Sequence, residues 1–175
     1  MKKIKDKEFV PFITAEAIDT RLQEMGTKIS VDFKEDNPVI LGVLNGAFMF
    51  LSDLAKYISI PAEISFIKVS SYQGTSSTGN VKELIGLDAE LKGRKVIVIE
   101  DIIDTGLSMT HLLKKLEINQ PSQISIVTLL FKPEALKHEL EIDYVGFEIP
   151  NKFVVGYGLD YDGFGRNLPE IYQLK

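Results

Sequence analysis

Short apolar runs alternate with helical segments along most of the chain. Two of the runs, VILGVL and ISIVTLLF, are almost continuously apolar, which is typical of strands buried on both faces of a sheet. Apolar residues at helical spacing recur in AFMFLSDLAKYI and LSMTHLLKKL. The predicted strands lie at residues 39–44, 63–71, 95–99, 124–131, 144–149 and 153–157. This alternation predicts an α/β fold, in which a mainly parallel sheet is flanked by helices on both faces.

Another helix is predicted near the start of the chain. Ile18, Leu22, Met25 and Ile29 recur at helical spacing, and Thr14 before them is a suitable N-cap residue. We expect this helix to contribute packing rather than chemistry.

The composition is typical of one acidic globular domain. The chain has 175 residues, of which 45% are hydrophobic and 26% charged, and it contains no cysteine. These values disfavour disorder, and the lack of cysteine excludes thiolate catalysis and zinc-thiolate sites. The net charge of −5 disfavours a nucleic-acid partner, because such proteins usually carry a basic surface. Charges interrupt the N-terminal segment and no apolar run is long enough to span a membrane, so we expect a cytoplasmic protein without a membrane partner.

The segment VIVIEDIIDTGLSMT carries the most distinctive chemistry of the chain. Glu100 and Asp101 come directly after a predicted buried strand. Two adjacent carboxylates repel each other unless a cation neutralises them or a partner such as a sugar diol binds them by hydrogen bonds. The pattern therefore indicates a site for Mg²⁺ or for ribose hydroxyls.

The turn at residues 104–110 has the features of a phosphate-binding loop. It opens a helix, whose first backbone N–H groups have no partner within the helix. Thr105, Ser108 and Thr110 add hydroxyl groups, and Gly106 permits close approach of the backbone to a ligand. A capped helix beside solvated acids is the alternative interpretation, since Asp-Thr-Gly caps are common. The loop matches neither a Walker A motif nor a GxGxxG fingerprint.

The order of a strand, Glu-Asp, two apolar residues and Asp-Thr-Gly resembles the phosphoribosyl diphosphate signature of the type I phosphoribosyltransferases. Other segments are similar to the hypoxanthine-guanine branch of that family: GVLNGAFMF, SSY followed by STG, LLFKPE, and PNKFVVGYGLDY through GRNLP. The resemblance covers roughly residues 39–170. It implies the type I phosphoribosyltransferase fold in a single domain, 1–175, with a core at about 36–150 and a small hood built from about 1–20 and 150–175.

The resemblance also implies an activity in purine salvage. Members of this branch transfer the 5-phosphoribosyl group from phosphoribosyl diphosphate to N9 of hypoxanthine or guanine, which gives IMP or GMP plus diphosphate. The reaction depends on Mg²⁺, so the expected ligands are this ion, phosphoribosyl diphosphate and a 6-oxopurine. Assembly as a homodimer or homotetramer is expected.

The family motif assigns a role to each residue of the acidic segment and of its loop. Asp104 matches the carboxylate beside the purine N7 that acts as general acid/base. The carboxylates of the metal region match Glu100, Asp101 and Asp160. The site for ribose and 5′-phosphate matches Glu100, Asp101, Asp104, Thr105, Gly106, Leu107, Ser108, Met109 and Thr110.

A second group of residues matches the diphosphate site of the family. It consists of Leu44, Asn45, Gly46 and Arg166. The family has a cis peptide before the second residue of this loop, and many members carry Lys where this chain has Asn45. We therefore expect the loop to bind through its backbone N–H groups and to depend little on the Asn45 side chain.

The remaining matches concern the base and the lid over the reaction centre. Lys132 matches the donor to the purine O6, and its ammonium has donors only, which disfavours the 6-amino group of adenine. Phe153 matches the ring that stacks on the purine, and Val154 and Asp160 complete the purine site. Without the resemblance, Lys132 has the alternative interpretation of a lysine reaching into solvent, and Phe153 and Val154 that of a core strand.

The lid matches Ser71 and Tyr72, at the start of the polar stretch SSYQGTSSTGN. Such a polar stretch is stable in water when open and can exclude water when closed. From composition alone, an inert surface loop is the alternative.

Two other functions remain as alternatives. A regulator that keeps this fold but binds RNA is disfavoured by the net charge of −5 and by the presence of the purine segments. A phosphoribosyltransferase for another base is the second alternative. Lys132 disfavours adenine and KFVVGYGLDY is unlike the orotate and uracil branches, whereas xanthine stays open.

Overall fold

The computed structural model describes residues 1–70, 82–85 and 87–175. The strands are β1 (Lys2–Ile4), β2 (Lys7–Ile13), β3 (Val39–Leu44), β4 (Glu63–Ser70), β5 (Lys82–Ile85), β6 (Lys95–Ile103), β7 (Gln123–Phe131), β8 (Tyr144–Glu148), β9 (Val154–Val155) and β10 (Ile171–Leu174). The α-helices are α1 (Ala15–Asp32), α2 (Phe48–Leu54) and α3 (Leu107–Glu117), and 3₁₀ turns lie at Ala55–Tyr57 and Pro133–Ala135.

The large sheet has the strand order β5-β4-β3-β6-β7-β8. Neighbouring strands from β4 to β8 are parallel, and β5 pairs with β4 in the antiparallel direction at one edge. The mainly parallel sheet predicted from the apolar runs is therefore confirmed.

Helices cover both faces of this sheet, as the sequence predicts. On one face, α1 and α2 pack over Ile40, Ile97 and Val127. On the other face, α3 packs over Val96 and Val98. The core strands alternate their buried side chains between these two layers, which explains why their sequences are continuously apolar.

Helix α1 begins as predicted. The Thr14 hydroxyl oxygen accepts a hydrogen bond from the Ala17 backbone N–H at 3.2 Å. The apolar face of the helix is fully buried, and its residues are Ile18, Leu22, Met25 and Ile29. Among the described residues, no helix is both long and apolar enough to cross a membrane.

A small antiparallel sheet joins the two ends of the chain. Its strand order is β1-β2-β10-β9, and Phe9, Val155 and Tyr172 form its own buried cluster. This sheet is the hood that the resemblance implies. Strands β1, β2 and β10 are not apparent in the apolar pattern, because they are short or mix polar with apolar residues, and most residues of β1 and β2 are not buried.

Candidate functional site

The acidic pair lies inside a strand rather than after it. The sequence predicts a strand at residues 95–99, but β6 continues to Ile103 because it keeps pairing with β7 as far as Phe131. Pairing with β3 on the other side stops at Ile99. Glu100 and Asp101 therefore have no paired β3 residue on that side, and they lie near the point where the chain leaves β3.

Burial changes the proton affinity of both carboxyls. It raises the pKa of Glu100 well above its ordinary value, and the charge of Asp101 adds to this effect. Burial also raises the pKa of Asp101, although hydrogen bonds from its neighbours and the charge of Arg166 oppose the shift. The pair therefore favours a bound proton or cation over two free negative charges.

Glu100 and Asp101 are suited to hold Mg²⁺ together with substrate oxygens, whereas Asp160 is engaged by other groups. No three His, Cys, Asp or Glu side chains in the described part of the chain come together as a complete set of metal ligands. Asp160 has its two oxygens engaged by the Arg166 guanidinium at 2.6 Å and by the Gly163 N–H at 2.7 Å. Mg²⁺ is commonly held by one or two carboxylates together with substrate phosphate oxygens and water, and Glu100 and Asp101 match that pattern.

The loop before α3 surrounds a small cavity. Gly106, with φ of +82°, forms the N-cap of α3, and its helix-opening turn contributes to a cavity of about 100 Å³ lined by Glu100 and residues 102–109. Thr110 does not line this cavity. Its hydroxyl donates to the Gly106 carbonyl at 3.0 Å, so Thr110 stabilises the turn. The Leu107 N–H donates to Thr105 Oγ1 at 3.4 Å. The next N–H groups of α3, at Ser108 and Met109, have no carbonyl partner within the helix and are available to an anion.

A contact that the sequence did not suggest holds this loop in place. The Thr105 carbonyl accepts hydrogen bonds from the backbone N–H groups of Lys137 and His138, at 3.1 and 3.2 Å. Nothing in the residue types of this segment indicates the contact, since both donors are backbone groups.

A larger cavity of about 260 Å³ lies beside the phosphate loop. It brings together all four residues that the sequence assigns to the purine site. Its lining consists of Asp101, Ile102, Asp104, Lys132, Phe153, Val154, Leu159 and Asp160.

Lys132 is a buried cation paired with Asp104. Its side chain does not extend into solvent, since Lys132 is only 7% exposed, and its Nζ lies 3.0 Å from Asp104 Oδ2. The alternative of a solvated lysine is therefore wrong. The residue order alone does not indicate this ion pair, although both residues follow neighbouring strands of the predicted sheet.

Phe153 and Val154 differ in burial. Val154 is buried, whereas Phe153 is 45% exposed and forms an edge contact with Tyr161 at 5.9 Å between ring centroids. The interpretation as core strand therefore holds for Val154 only. The Phe153 ring is accessible from the cavity that it lines.

The predicted diphosphate loop lies directly against the acidic pair. The Leu44–Asn45 peptide bond is cis, as in the family pattern. Gly46 packs so closely on Asp101 that a methyl group there would overlap the carboxylate.

Two groups from the C-terminal segment complete this region. A methyl group on Gly158, which has φ of +101°, would overlap the Gly46 carbonyl. The Arg166 guanidinium donates to the Gly158 carbonyl at 2.7 Å and pairs with Asp160. The residues matched to the diphosphate site therefore lie in one cluster, whereas Ser71 and Tyr72 of the predicted lid lie outside the described residues.

Comparisons with known proteins agree on one family. The model of the phosphoribosyl transferase domain matches residues 14–162. The hypoxanthine-guanine phosphoribosyltransferase of Bacillus subtilis is 43% identical over 164 residues, which cover 93% of this chain and 91% of that protein. The protein of the same name from Mycobacterium tuberculosis is 42% identical, with 92% of this chain and 87% of that protein covered.

Solved structures lead to the same assignment. The crystal structure of a hypoxanthine phosphoribosyltransferase from Staphylococcus aureus has a TM-score of 0.90 and 40% identity, over 97% of this chain and 92% of that chain. The chain therefore belongs to the phosphoribosyltransferase family, and within it to the hypoxanthine-guanine phosphoribosyltransferases.

Proposed function

We propose that this protein transfers the 5-phosphoribosyl group of phosphoribosyl diphosphate to N9 of hypoxanthine or guanine, with IMP or GMP and diphosphate as products. One observation carries the proposal: the cavity of about 260 Å³ and the cavity of about 100 Å³ share Ile102 and Asp104. Two adjoining cavities of this kind match a nucleoside monophosphate, in which the ribose joins a base on one side to a phosphate on the other.

The smaller cavity supports binding of the 5′-phosphate. Backbone N–H groups at the start of α3 can donate hydrogen bonds to an anion, and the positive end of the helix dipole favours negative charge at the same place. Ser108 adds a hydroxyl to this lining. A phosphate monoester fits this donor set better than a carboxylate, because it has three oxygens to accept hydrogen bonds.

The larger cavity supports selection of a 6-oxopurine. O6 and N7 are neighbouring acceptors on one edge of guanine. Lys132 and Asp104, with 3.0 Å between their charged atoms, supply a donor for O6 and a carboxylate for a proton on N7. A base with an amino group at C6 would bring a donor against the ammonium, which leaves both unpaired.

The proton balance of the transfer follows from these positions. As N9 forms its bond to C1 of the ribose, the bond between C1 and the diphosphate oxygen breaks. A base bound with its proton on N7 transfers that proton to the Asp104 carboxylate, so the purine of the nucleotide product is neutral. The Asp104 carboxylate also faces the positive charge that develops on the ribose during glycosyl transfer.

The proposal includes Mg²⁺ at the acidic pair. Glu100 and Asp101 would hold the ion, together with oxygens of the substrate and water. When bound there, Mg²⁺ would neutralise part of the negative charge on the departing diphosphate. The raised pKa of Glu100 supports this assignment, since a cation relieves the repulsion by Asp101 that causes part of the shift.

We also propose one domain for the whole chain, with the core at about 36–150 and the hood from about 1–20 and 150–175. The antiparallel pairing of β2 with β10 supports a hood that joins both chain ends. Assembly as a homodimer or homotetramer in the cytoplasm completes the proposal.

A panel of bases tests the proposed function. The purified protein is incubated with phosphoribosyl diphosphate and Mg²⁺, and hypoxanthine, guanine, xanthine, adenine, orotate and uracil are supplied separately. We expect nucleotide formation with hypoxanthine and guanine and none with adenine, orotate or uracil, and the xanthine sample decides whether this third 6-oxopurine is also a substrate. Turnover with adenine would contradict the role of Lys132, and binding of phosphoribosyl diphosphate without turnover of any base would favour a ligand-sensing regulator, which is then tested for RNA binding.

A further inference from the structure

Tyr157 is held in an unusual position beside the candidate site. It is only 4% exposed and has φ of +49°, a left-handed conformation that is rare for a residue with a large side chain. Its backbone N–H donates to the Leu168 carbonyl at 2.8 Å. Its hydroxyl donates to Asp53 Oδ2 at 2.7 Å, across 104 positions of sequence. A buried side chain in a costly backbone conformation indicates that the surrounding contacts determine it.

The Asp53 carboxylate is shared between two donors. Its Oδ2 accepts from Tyr157, and its Oδ1 accepts from Lys56 Nζ at 2.6 Å. Burial alone would raise the pKa of Asp53, but the hydrogen bonds from Lys56 and Tyr157 outweigh it and hold the pKa below its ordinary value. Burial, followed by the bond to Asp53, raises the pKa of Tyr157, which therefore stays a donor. The bond is a charge-assisted one, which is the stronger class.

The hydrogen bond joins the same two chain segments that meet in the diphosphate region. Asp53 is in α2, which begins shortly after the Leu44–Gly46 loop. Tyr157 precedes Gly158, whose backbone packs against the Gly46 carbonyl. Two separate contacts therefore fix the loop and α2 against the Gly156–Asp160 segment, one at the glycines and one at Asp53.

We propose that Asp53 and Tyr157 are a positioning pair, which holds the Leu44–Gly46 loop in the geometry that binds the diphosphate of phosphoribosyl diphosphate. The pair touches no reacting atom and acts through the Gly46–Gly158 contact. This inference deepens the proposed function and rests on it for the identity of the substrate.

Tyr157→Phe tests the pair, because it removes the hydroxyl and keeps the ring. We expect the KM for phosphoribosyl diphosphate and the Kd for Mg²⁺-diphosphate to rise about tenfold, and the KM for hypoxanthine to change by less than about twofold. Binding of Mg²⁺-diphosphate is measured by calorimetry, so this readout does not depend on turnover.

Tyr57→Phe is the matched control. Tyr57 donates an equally short hydrogen bond to a carboxylate, Asp19 Oδ1 at 2.6 Å, but this bond connects α1 to the 3₁₀ turn after α2 and does not involve the C-terminal segment. We expect its kinetic constants to equal those of the wild type. Lys56→Ala, which removes the other donor to Asp53, should likewise leave binding of diphosphate close to normal.

A second pair of variants keeps the test decisive if Tyr157→Phe is poorly folded. Asp53→Ala should reproduce the loss of diphosphate affinity, and Asp53→Asn should restore most of it, because the amide oxygen still accepts from Tyr157. Unchanged diphosphate affinity in both Tyr157→Phe and Asp53→Ala would overturn the proposal, as would an equal loss for hypoxanthine and for phosphoribosyl diphosphate. If the wild type converts no base but binds diphosphate, the proposed function fails and the calorimetric comparison still decides the role of the pair.

Discussion

Asp104 and Lys132 meet although 28 positions separate them in the chain. Asp104 follows β6 and Lys132 follows β7, and the carboxyl ends of these parallel neighbours lie at one edge of the sheet. Lys132 is buried, whereas the Asp104 side chain is 46% exposed. The ammonium therefore depends on the carboxylate more than the carboxylate depends on the ammonium.

Asp104→Asn should separate chemistry from folding. We expect turnover to fall by roughly 10²-fold or more, which is the usual scale for a general acid/base, because the amide cannot take the N7 proton. The loss of stability should be modest, since the amide oxygen still accepts a hydrogen bond from Lys132. Steady-state kinetics and urea unfolding check both parts, and turnover equal to the wild type would remove Asp104 from the proposed mechanism.

Lys132→Ala should affect the base far more than phosphoribosyl diphosphate. We expect the KM for hypoxanthine to rise about tenfold or more, since a hydrogen bond from a charged donor is lost, while the Kd for phosphoribosyl diphosphate stays near its wild-type value. Lys152→Ala is the control, because Lys152 precedes Phe153 but does not line the cavity. Equal losses for both substrates would assign Lys132 a structural role.

The contact between the Leu44–Gly46 loop and the C-terminal segment depends on glycine. Gly158 has φ of +101° and its backbone touches the Gly46 carbonyl, so both its conformation and its lack of a side chain matter. Gly93 has φ of +70° but has no atom near the position of an added methyl group. An alanine at Gly93 therefore introduces backbone strain alone, whereas an alanine at Gly158 introduces backbone strain and steric overlap.

Gly158→Ala should destabilise the protein and weaken diphosphate binding together. Gly93→Ala carries only the cost of a left-handed alanine, about 1–2 kcal/mol in the free energy of unfolding. Gly158→Ala adds displacement of the loop, so we expect a larger loss of stability and a Kd for Mg²⁺-diphosphate raised about tenfold or more. Denaturant unfolding and calorimetry measure the two effects. Equal behaviour of the two variants would show that the glycine contact does not shape the diphosphate site.

The strands that position the site are largely predictable from sequence, and the main exception is the end of β6. VILGVL and ISIVTLLF are apolar because both of their faces are buried. β6 runs past the acidic pair because of its pairing with β7, and no pattern within residues 100–103 indicates that pairing. Strands β2 and β10 escape detection for a similar reason, since they pair with each other from opposite ends of the chain.

Helix α1 is tied to the far edge of the large sheet by polar contacts. Tyr144 in β8 donates to Asp32 Oδ2 at 2.6 Å, and Lys28 donates to the same oxygen at 2.6 Å. Arg21 donates to the carbonyls of Val145 and Gly146, at 2.7 and 2.9 Å. The hydrogen bonds from Lys28 and then Tyr144 hold the pKa of Asp32 below its ordinary value.

The contribution of Asp32 to stability should depend on pH. A carboxyl whose pKa is lowered on folding binds fewer protons in the folded state, so its contribution is present above the ordinary pKa of 3.8 and is lost as the pH falls through the lowered value. We therefore expect Asp32→Ala to have a lower free energy of unfolding than the wild type near neutral pH, and a smaller difference below the ordinary pKa. Urea unfolding across this range checks it. A difference that is constant or grows on acidification would contradict the direction of the shift.

The sequence predicts which distant segments of the chain meet at the site, but it does not predict the side-chain contacts between them. The parallel sheet brings the ends of β3, β6 and β7 to one edge, so residues 44–46, 100–110 and 132 are expected to lie close together. The resemblance adds Phe153 and Arg166. The Lys132–Asp104 and Asp53–Tyr157 contacts depend on side-chain geometry across neighbouring elements, which residue order does not specify.

The stoichiometry of the transfer is the most direct measurement. The wild-type protein is supplied with hypoxanthine, phosphoribosyl diphosphate and Mg²⁺, and the nucleotide and diphosphate formed are quantified against the base consumed. We expect one IMP, ribosylated at N9, and one diphosphate for each hypoxanthine. Release of diphosphate without IMP, or saturable binding of phosphoribosyl diphosphate with no reaction, would contradict transfer of the phosphoribosyl group to the purine.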